Sequence, residues 1–522
     1  MSWLLLLGCR EPEPGVANQA LPEPDTQDTG AGTLAEVVAP AVWFNEVQPE
    51  NDSTWQASDG SRPAWVEIRN ASSESVQRSD LSINGEALAW VDGEETLPAG
   101  ALAMAVLADG GSLALTWQGI PTDTMDPGDP GADMAWARFD GAFEGDASGF
   151  LLTPQPTPGY DNGTAPPDGT PSDLLFADYA RYDLTIPQAS WDALALDPYT
   201  GVPATLAYER VSLEVTAHLK GVYGSLRTLE QKASFSIDLN GVTEGGSIRG
   251  LKKLKLNNMV QDPSGTHETL TYQLYRSVGL PAPRTGYAQV YVNGDYYGVY
   301  VNVEAADSEF LDRNFGQHDG NLYEGAYGVD FYDGYEPYFE CDECAYPDDR
   351  SDITAVTNVL NGSATNAAIA DLDELVDLDQ FLTYMAVEAI TLHWDGYTTA
   401  NNYRIFHDPG DDRFVFLPWG TDQTWIDAYY DPWSGYGRVL TFCIANPSCE
   451  AEYNAKLLEI ADQTEALNLT ESFVELVRTY DADFVTDPRV EWAIPTHETY
   501  LRATQANLEA GPERVRGQVG AR

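Results

Sequence analysis

The sequence predicts two folded units of different class, an all-β sandwich followed by a larger α+β unit. Over about 38–162, short segments of alternating apolar and polar residues are separated by Gly, Asn, Asp and Pro, without a long helical period. Over about 174–522, similar segments alternate with stretches whose apolar residues recur every three to four positions. A chain of 522 residues with 43% hydrophobic residues is long enough to bury several cores.

Residues 1–9 are interpreted as a partial lipoprotein signal, because Leu6-Leu7-Gly8-Cys9 matches a bacterial lipobox, whose cysteine becomes the lipidated first residue. The stretch before it is short and lacks basic residues, so a chance match is the alternative. Residues 10–37 are rich in Pro, Glu, Asp, Gly and Thr and are predicted to be a disordered tether. No apolar run of about 18 residues occurs, so membrane contact is expected only through a lipid anchor at Cys9.

The sandwich, 38–162, is predicted from five alternating segments. They are Ala41–Val47, Ala64–Arg69, Ala101–Leu107, Ser112–Trp117 and Phe150–Leu152. The acidic stretch Met125–Asp133 has two interpretations, a solvated loop and a calcium site. The Pro-, Gly- and Asp-rich stretch 163–173 is predicted to be a linker to the second unit, 174–522.

The second unit mixes strands and helices. The predicted strands are Tyr182–Ile186, Leu213–Lys220, Lys232–Leu239, Leu251–Asn257, Ala288–Val292 and Gly298–Val303, the last two forming a hairpin around Asn293-Gly294-Asp295. The predicted helices are Pro187–Leu194, Thr266–Val278, a long helix within Asp371–Leu392, and Thr470–Arg478. In the fourth strand Leu254 and Leu256 face one way, while Lys253 and Lys255 face the other.

The stretch 393–425 concentrates the residues that carry chemistry. Asp395 precedes the pair Asn401 and Asn402, a short hairpin follows, and the chain then reaches Asp422. Two loops at one end of that hairpin would bring two carboxylates and an amide oxygen together. Such a set suits phosphoryl transfer on Mg²⁺, with one carboxylate accepting the hydroxyl proton and the other groups holding the metal. The alternative is that these residues only form turns and have solvated side chains.

Charge and cysteine content restrict the class of protein. A net charge of −54 argues against binding to nucleic acid or anionic membrane surfaces and fits a secreted or salt-adapted protein. Besides Cys9 there are four cysteines, Cys341, Cys344, Cys443 and Cys449. In an exported protein these suggest two disulfides, most simply two local bridges, with a four-cysteine zinc site as the alternative.

Five motifs of the first unit, in order, resemble those of a lamin-tail domain, an immunoglobulin-like module. They are Phe44–Val47, Ala64–Asn70, Leu81–Asn84, Leu97–Gly100 and Pro156–Asn162. The resemblance implies an adhesion or scaffolding unit and transfers no chemistry.

Motifs spread over the second unit resemble the spore-coat protein H (CotH) kinase family. They are Lys252–Asn258, Asp262, Leu270–Arg276, Tyr291–Tyr300, Val303-Glu304, Trp394-Asp395-Gly396, Asn401-Asn402-Tyr403 and Pro418-Trp419. The resemblance implies an atypical, secreted protein kinase with a reduced kinase-like fold. It would bind ATP and Mg²⁺ (or Mn²⁺) and phosphorylate Ser or Thr of an extracellular protein. Asp395 would be catalytic, Asp422 would bind metal, and Asn402 would be the amide ligand or a loop brace. The family's metal loop usually reads Pro-Trp-Asp-x-Asp, and here Gly420 replaces the first Asp.

ATP would be repelled by so acidic a chain unless cations lie close to it. Lys232, Lys252, Lys253 and Lys255 gather on two predicted strands, and Lys232, Lys253 and Lys255 are predicted to bind the nucleotide, with a solvated sheet face as the alternative. Glu304 ends a hairpin strand, where it would pair with a lysine or contact the nucleotide, with a plain surface glutamate as the alternative.

Two functions from different classes follow. The first is a surface-anchored, extracytoplasmic protein kinase. The second is a structural or adhesive surface protein whose kinase-like domain is catalytically weakened, a possibility that Gly420 favours. A calcium-dependent adhesin is a third interpretation, based on acidity and the lamin-tail-like module.

Overall fold

The computed structural model describes residues 38–108, 111–139, 150–160, 162, 169–177, 179–426 and 430–522. The predicted signal (1–9), the tether (10–37) and most of the linker (163–173) lie outside the described residues.

The N-terminal part is an all-β sandwich, as predicted. Its strands are β1 Val42–Gln48, β2 Trp65–Asn70, β3 Val76–Gln77, β4 Leu81–Ile83, β5 Glu86–Ala87, β6 Ala89–Trp90, β7 Thr96–Leu97, β8 Leu102–Val106, β9 Leu113–Trp117, β10 Ile120–Met125, β11 Ala135–Arg138 and β12 Phe150–Thr153. One sheet has the order β12-β11-β1-β2-β8-β6, a second the order β10-β9-β4-β5, and β3 pairs with β7. Phe44 and Ile68 from the first sheet and Leu115 from the second are fully buried in one core.

The second unit begins with a closed barrel. Its strands are β13 Ala180–Thr185, β14 Val202–Tyr208, β15 Val211–Lys220, β16 Ser234–Asp238, β17 Lys253–Asn257, β18 Thr285–Val292 and β19 Asp295–Val303. They close in the order β13-β14-β15-β16-β17-β19-β18, with a parallel contact between β13 and β18. Along β17, Leu254 and Leu256 are buried in the barrel while Lys253 and Lys255 point away from it, which is the predicted alternation.

An antiparallel sheet of four strands follows the barrel. Its strands are β20 Asn321–Gly325, β21 Phe339–Cys344, β22 Tyr403–Asp408 and β23 Arg413–Pro418, in the order β21-β20-β22-β23. The β22–β23 hairpin is the one that the sequence predicts. Two local disulfides form, Cys341–Cys344 at the end of β21 and Cys443–Cys449, so the predicted pair of local bridges is confirmed.

Eleven helices of the described residues complete the fold. They are α1 Leu174–Ala177, α2 Gln188–Leu196, α3 His267–Ser277, α4 Ser308–Phe315, α5 Ser351–Leu360, α6 Asn366–Asp373, α7 Leu378–Thr391, α8 Arg438–Ile444, α9 Pro447–Leu467, α10 Leu469–Thr486 and α11 Ile494–Ala521. α7 is the central helix, because it is buried over nearly its whole length and packs against α9 and α11. None of these described helices combines the length and apolarity that a membrane span requires.

The range Asp371–Leu392 contains the predicted long helix, α7, and its first residues belong to a separate helix, α6. Between them, Val376 pairs with Phe414 of β23, and the backbone of Asp377 donates to the Phe414 carbonyl. The side chain of Asp377 then accepts from Gln380 N–H and caps α7. The segment therefore bonds to the sheet instead of continuing the helix.

The sandwich is joined to the barrel through Arg249, whose side chain is 4% exposed. The Arg249 N–H donates to Ser53 Oγ of the sandwich at 2.5 Å, while its guanidinium donates to Tyr208 and Glu209 of the barrel. A buried arginine that serves both units attaches the sandwich directly to the barrel wall.

Candidate active site

Two loops leave the same end of the β22–β23 hairpin and carry the predicted acidic residues. The first loop, 392–402, connects α7 to β22 and contains Asp395. In the hairpin Tyr403 lies opposite Pro418, so the loop before Tyr403 and the loop after Pro418 are neighbours. The second loop contains Asp422. The structure thus brings both loops together as predicted.

Asp395 is half-buried, and both of its carboxylate oxygens accept hydrogen bonds from amide side chains. Asn401 Nδ2 donates to Oδ1 at 3.0 Å and Asn402 Nδ2 donates to Oδ2 at 2.9 Å. Burial raises the pKa of Asp395, while the two amide bonds and His393 oppose that rise. The carboxylate is held in one orientation with an increased proton affinity, which suits a proton acceptor.

Asp422 lies in a 3-10 turn, Thr421–Gln423, next to other carboxylates. Burial raises its pKa well above the ordinary value, and the charges of Glu268, Asp262 and Asp395 raise it further. Its backbone carbonyl lies 2.9 Å from His267 Nδ1, so the first turn of α3 supports this turn. Among the described residues, no other residue donates a hydrogen bond to the Asp422 carboxylate, which leaves its oxygens open to a ligand.

Gly420 adopts a left-handed conformation, with φ +55°. A Cβ at this position would lie 2.7 Å from Asn402 Oδ1. The Asn402 amide nitrogen is occupied by Asp395, and its oxygen is therefore turned towards the glycine. The first carbon of an acidic side chain at position 420 would therefore clash with the amide oxygen of Asn402.

Lys220 is a member of the cluster that the sequence prediction missed. It is the last residue of β15, and its Nζ donates to Asn257 Oδ1. Asn257 Nδ2 donates in turn to both oxygens of Glu268, at 2.9 and 2.7 Å. Burial lowers the pKa of Lys220, and the charges of Glu268 and Asp422 oppose this. Its position at the end of an alternating strand, just before a Gly-containing loop, was the available sequence signal.

Further cations lie on the same side of the barrel. Lys255 Nζ donates to Ser236 Oγ at 2.7 Å, and burial together with Lys220 and Arg404 lowers the pKa of Lys255 to about 8. Arg404 stacks on Trp419, with its Cζ 3.9 Å from the ring centroid. Two carboxylates of β20 and β21 hold the Arg404 guanidinium, Glu324 at 2.5 Å and Asp342 at 2.7 Å. Lys220 and Lys255 thus lie close enough for the charge of each to act on the other, whereas Arg404 is paired with two carboxylates.

Two other predicted nucleotide ligands, Lys253 and Lys232, form ion pairs with acidic residues. Lys253 forms an ion pair with Glu343 at 3.2 Å at the edge of the cation cluster. Lys232 lies before β16 rather than within a strand, and it is buried against Asp487, with Nζ 2.6 Å from Oδ2 and exposed fractions of 1% and 0%. A phosphate cannot reach it there, which corrects the prediction of Lys232 as a nucleotide ligand.

Glu304 is also a buried structural residue. Its exposed fraction is 1%, and it accepts hydrogen bonds from Arg284 at 2.6 Å and Arg313 at 2.5 Å. The prediction that Glu304 pairs with a lysine or contacts nucleotide is corrected, because two arginines use both of its oxygens.

A divalent cation fits this site only together with other ligands. Across the described ranges, no set of three or more His, Cys, Asp and Glu side chains is arranged to hold a metal by itself. The donors that the sequence predicts are the carboxylate of Asp422 and the amide oxygen of Asn402. Mg²⁺ binds through one or two protein carboxylates plus water and phosphate oxygens. The raised pKa of Asp422, surrounded by other carboxylates, is consistent with a place for a cation.

Comparison with known proteins agrees with the geometry. Residues 218–474 match the family model described as CotH kinase protein. Invasin CotH2 of Rhizopus delemar is 28% identical over 210 residues, which cover 37% of this chain and 35% of the invasin. Inner spore coat protein H of Bacillus subtilis is 23% identical over 239 residues, which cover 43% of this chain and 62% of that protein.

The chain therefore spans about a third of the length of the fungal invasin and less than two thirds of the spore coat protein. Among solved structures, the Helicobacter pylori proinflammatory kinase CtkA is matched over 58% of this chain and 96% of its own, with 10% identity and a TM-score of 0.29. A TM-score this low supports no further comparison. Residues 218–474, just under half of the chain, are therefore a CotH kinase family domain.

Proposed function

We propose that the unit 174–522 is an atypical protein kinase, which transfers the γ-phosphate of ATP to Ser or Thr of an extracellular protein. The observation that carries this proposal is the convergence of Asp395 and Asp422 from two loops of one hairpin. Lys220, at the end of β15, and Glu268 of α3 lie close to Asp422. Protein kinases need these four roles: a proton acceptor, a metal-binding carboxylate, and a strand lysine supported by a helix glutamate.

Each residue has a defined role in this proposal. Asp395 accepts the proton of the attacking hydroxyl, in the orientation fixed by Asn401 and Asn402. Asp422 and Asn402 Oδ1 would hold Mg²⁺ or Mn²⁺, which supplies positive charge to the transferring phosphoryl group.

The lysine of this proposal is Lys220, at the end of β15. It orients the phosphates, and Glu268 of α3 holds it in place through Asn257. Lys255 and Lys253 add positive charge on the same face of the barrel, whereas Lys232 and Glu304 have no role in the nucleotide site.

Location and domain organisation extend the proposal. Two disulfides favour an oxidising, extracytoplasmic environment, as do relatives named as invasin and spore coat proteins. We propose a lipid anchor at Cys9, a tether 10–37, a lamin-tail-like sandwich 38–162 that presents the kinase unit at the surface, and a linker 163–173. The loop Met125–Asp133 stays a candidate for Ca²⁺ within this arrangement.

A structural or adhesive surface protein is the second candidate function. The specific observation in its favour is Gly420, which removes one metal-binding carboxylate relative to the usual family motif. Relatives that are named as an invasin and a spore coat component are compatible with it.

The two candidates are separated by incubating the full chain with γ-labelled ATP and Mg²⁺ or Mn²⁺, followed by phosphoamino-acid analysis. Asp395→Asn should reduce label transfer at least about 100-fold while ATP still binds, because a general base contributes about 10²–10⁴-fold. Asp422→Asn and Lys220→Met should weaken nucleotide binding as well. Lys252→Met is the matched control, because Lys252 is a partly exposed lysine that pairs with Glu309.

Wild-type protein that binds no nucleotide in a thermal-shift titration, with either metal, would overturn the kinase proposal and leave the structural function. Transfer that survives Asp395→Asn would instead remove Asp395 from the mechanism.

A further inference from the structure

The loop that carries Asp395 is folded around a second carboxylate, that of Glu388 in the last turn of α7. Glu388 is 0% exposed. Its Oε1 accepts a hydrogen bond from the Tyr397 N–H at 2.8 Å and from the Tyr384 hydroxyl at 3.0 Å. Its Oε2 accepts from the Thr398 N–H at 3.4 Å. One buried carboxylate therefore satisfies two backbone N–H groups of the loop, and charged acceptors make the stronger hydrogen bonds.

Gly396 shows how closely the loop approaches this carboxylate. Its φ of −93° is open to any residue, so conformation does not require a glycine. The lack of space does require a glycine, because a Cβ would overlap Glu388 Oε1 and lie 2.6 Å from His393 Nδ1. His393 is also fully buried, with Nδ1 3.5 Å from Glu388 Oε1 and no hydrogen bond from either ring nitrogen to a described residue. The backbone on both sides of Asp395 is thus packed against Glu388.

We propose that Glu388 is a positioning residue that fixes the loop bearing Asp395 on the helical core. The amides that orient the Asp395 carboxylate, Asn401 and Asn402, belong to the same loop and move with it. Glu388 belongs to α7, which is buried against α9 and α11. The hydrogen bonds to this carboxylate therefore attach the loop backbone to the buried helix α7. The catalytic consequence of this inference rests on the proposed kinase function.

The test combines Glu388→Gln with Gly396→Ala, so that the failure of one variant to fold does not leave the inference undecided. The first variant keeps the shape of the side chain and removes its charge, and the second forces the loop away from an intact carboxylate. Each should speed amide hydrogen exchange at 395–399 at least tenfold, since exchange reports local opening. Each should lower kcat about 10–100-fold, because displacement of a catalytic group by about 1 Å costs up to about 100-fold.

The Kd for ATP measured without divalent metal should stay within about twofold of the wild-type value in both variants, because the loop carries the proposed metal ligand Asn402 and not the lysine that orients the phosphates. Two controls are matched to them. Glu46→Gln alters an equally buried carboxylate in the sandwich, and Gly93→Ala adds a Cβ where no atom lies within 4 Å. Neither should change exchange at 395–399 or kcat.

Unchanged hydrogen exchange in both variants overturns the inference, whatever the activity. A parallel loss of kcat and of the affinity for metal-free ATP also overturns it, because that pattern describes general destabilisation of the unit. If the wild type transfers no phosphate, the proposed function fails on its own, and hydrogen exchange alone decides whether Glu388 positions the loop.

Discussion

Replacing Lys232 by methionine should destabilise the fold without weakening nucleotide binding. Lys232 Nζ lies 2.6 Å from Asp487 Oδ2, and the exposed fractions of the two side chains are 1% and 0%. Methionine fills a similar volume but leaves the Asp487 charge buried with only two backbone donors, the N–H groups of Val299 and Arg489. Removing one partner of a buried ion pair costs about 3–5 kcal/mol. We expect the free energy of unfolding to fall by that amount.

The assay is urea unfolding followed by tryptophan fluorescence, together with Mn²⁺-ATP titration of the folded variant. A double variant, Lys232→Met with Asp487→Asn, should recover part of the loss, because the uncompensated charge is then gone. Lys220→Met is the contrast, since it should weaken nucleotide binding while costing less stability. Loss of nucleotide affinity about tenfold in Lys232→Met, with the free energy of unfolding within about 1 kcal/mol of wild type, would refute this reasoning and return Lys232 to the nucleotide site.

Three further predictions concern other parts of the chain. Gly420→Asp should lower Mn²⁺-ATP affinity about tenfold by calorimetry, because the new Cβ would displace Asn402 Oδ1 (2.7 Å away) and φ is +55°. Burial, followed by the charge of Glu67, raises the pKa of Glu46 to about 8, so the folded state alone keeps this proton at neutral pH. The free energy of unfolding should therefore fall as pH rises from about 4.5 to about 8, by at most about 5 kcal/mol. Urea unfolding at these two pH values should show the fall in the wild type and not in Glu46→Gln. Removing the Cys443–Cys449 bridge with two alanines should lower the free energy of unfolding by about 2 kcal/mol in urea unfolding. Reductant should then destabilise this variant less than the wild type, because only Cys341–Cys344 is left to be reduced.

The part of the site that the sequence predicted is local in the chain. Asp395, Asn402 and Asp422 lie within the 30 residues around one hairpin, whose turn residues and apolar runs are visible in the sequence. A two-stranded hairpin brings the loops at its end together in any fold that contains it. These residues could therefore be placed near one another without knowledge of the barrel.

The cation partners were not predictable in the same way. Lys220 acts with Asn257 and Glu268, and these three residues meet only because the barrel closes and α3 packs beside it. Lys232 looked equally suitable in the sequence, but its partner Asp487 is 255 residues later in the chain. Whether a lysine is a free cation or half of a buried pair is decided by such distant partners, which an alternating pattern does not show.

The helices show the same limit in a different form. α11 was not predicted, because its buried positions are mostly small or polar, His497, Thr504, Gly511 and Pro512 among them, and give no apolar period. The long helix predicted within Asp371–Leu392 is α7, but its start at Leu378 was not predicted, because the break before it is made by a strand contact to Phe414 and not by a glycine or proline. That boundary comes from a tertiary contact that overrides local preference.

The lack of a carboxylate at Gly420 and the position of the Asn402 amide oxygen are linked. This link bears on which candidate function is correct. If the missing carboxylate simply left a gap, the metal site would lose a ligand and gain nothing. In the structure the amide oxygen of Asn402 occupies that space, 2.7 Å from where the side chain at position 420 would begin. In the proposed site, a neutral amide oxygen attracts a divalent cation less strongly than a carboxylate does, yet it remains the kind of ligand that Mg²⁺ accepts. The substitution therefore points to a site that binds its metal weakly and together with the nucleotide, which is compatible with slow catalysis and does not require that catalysis was lost.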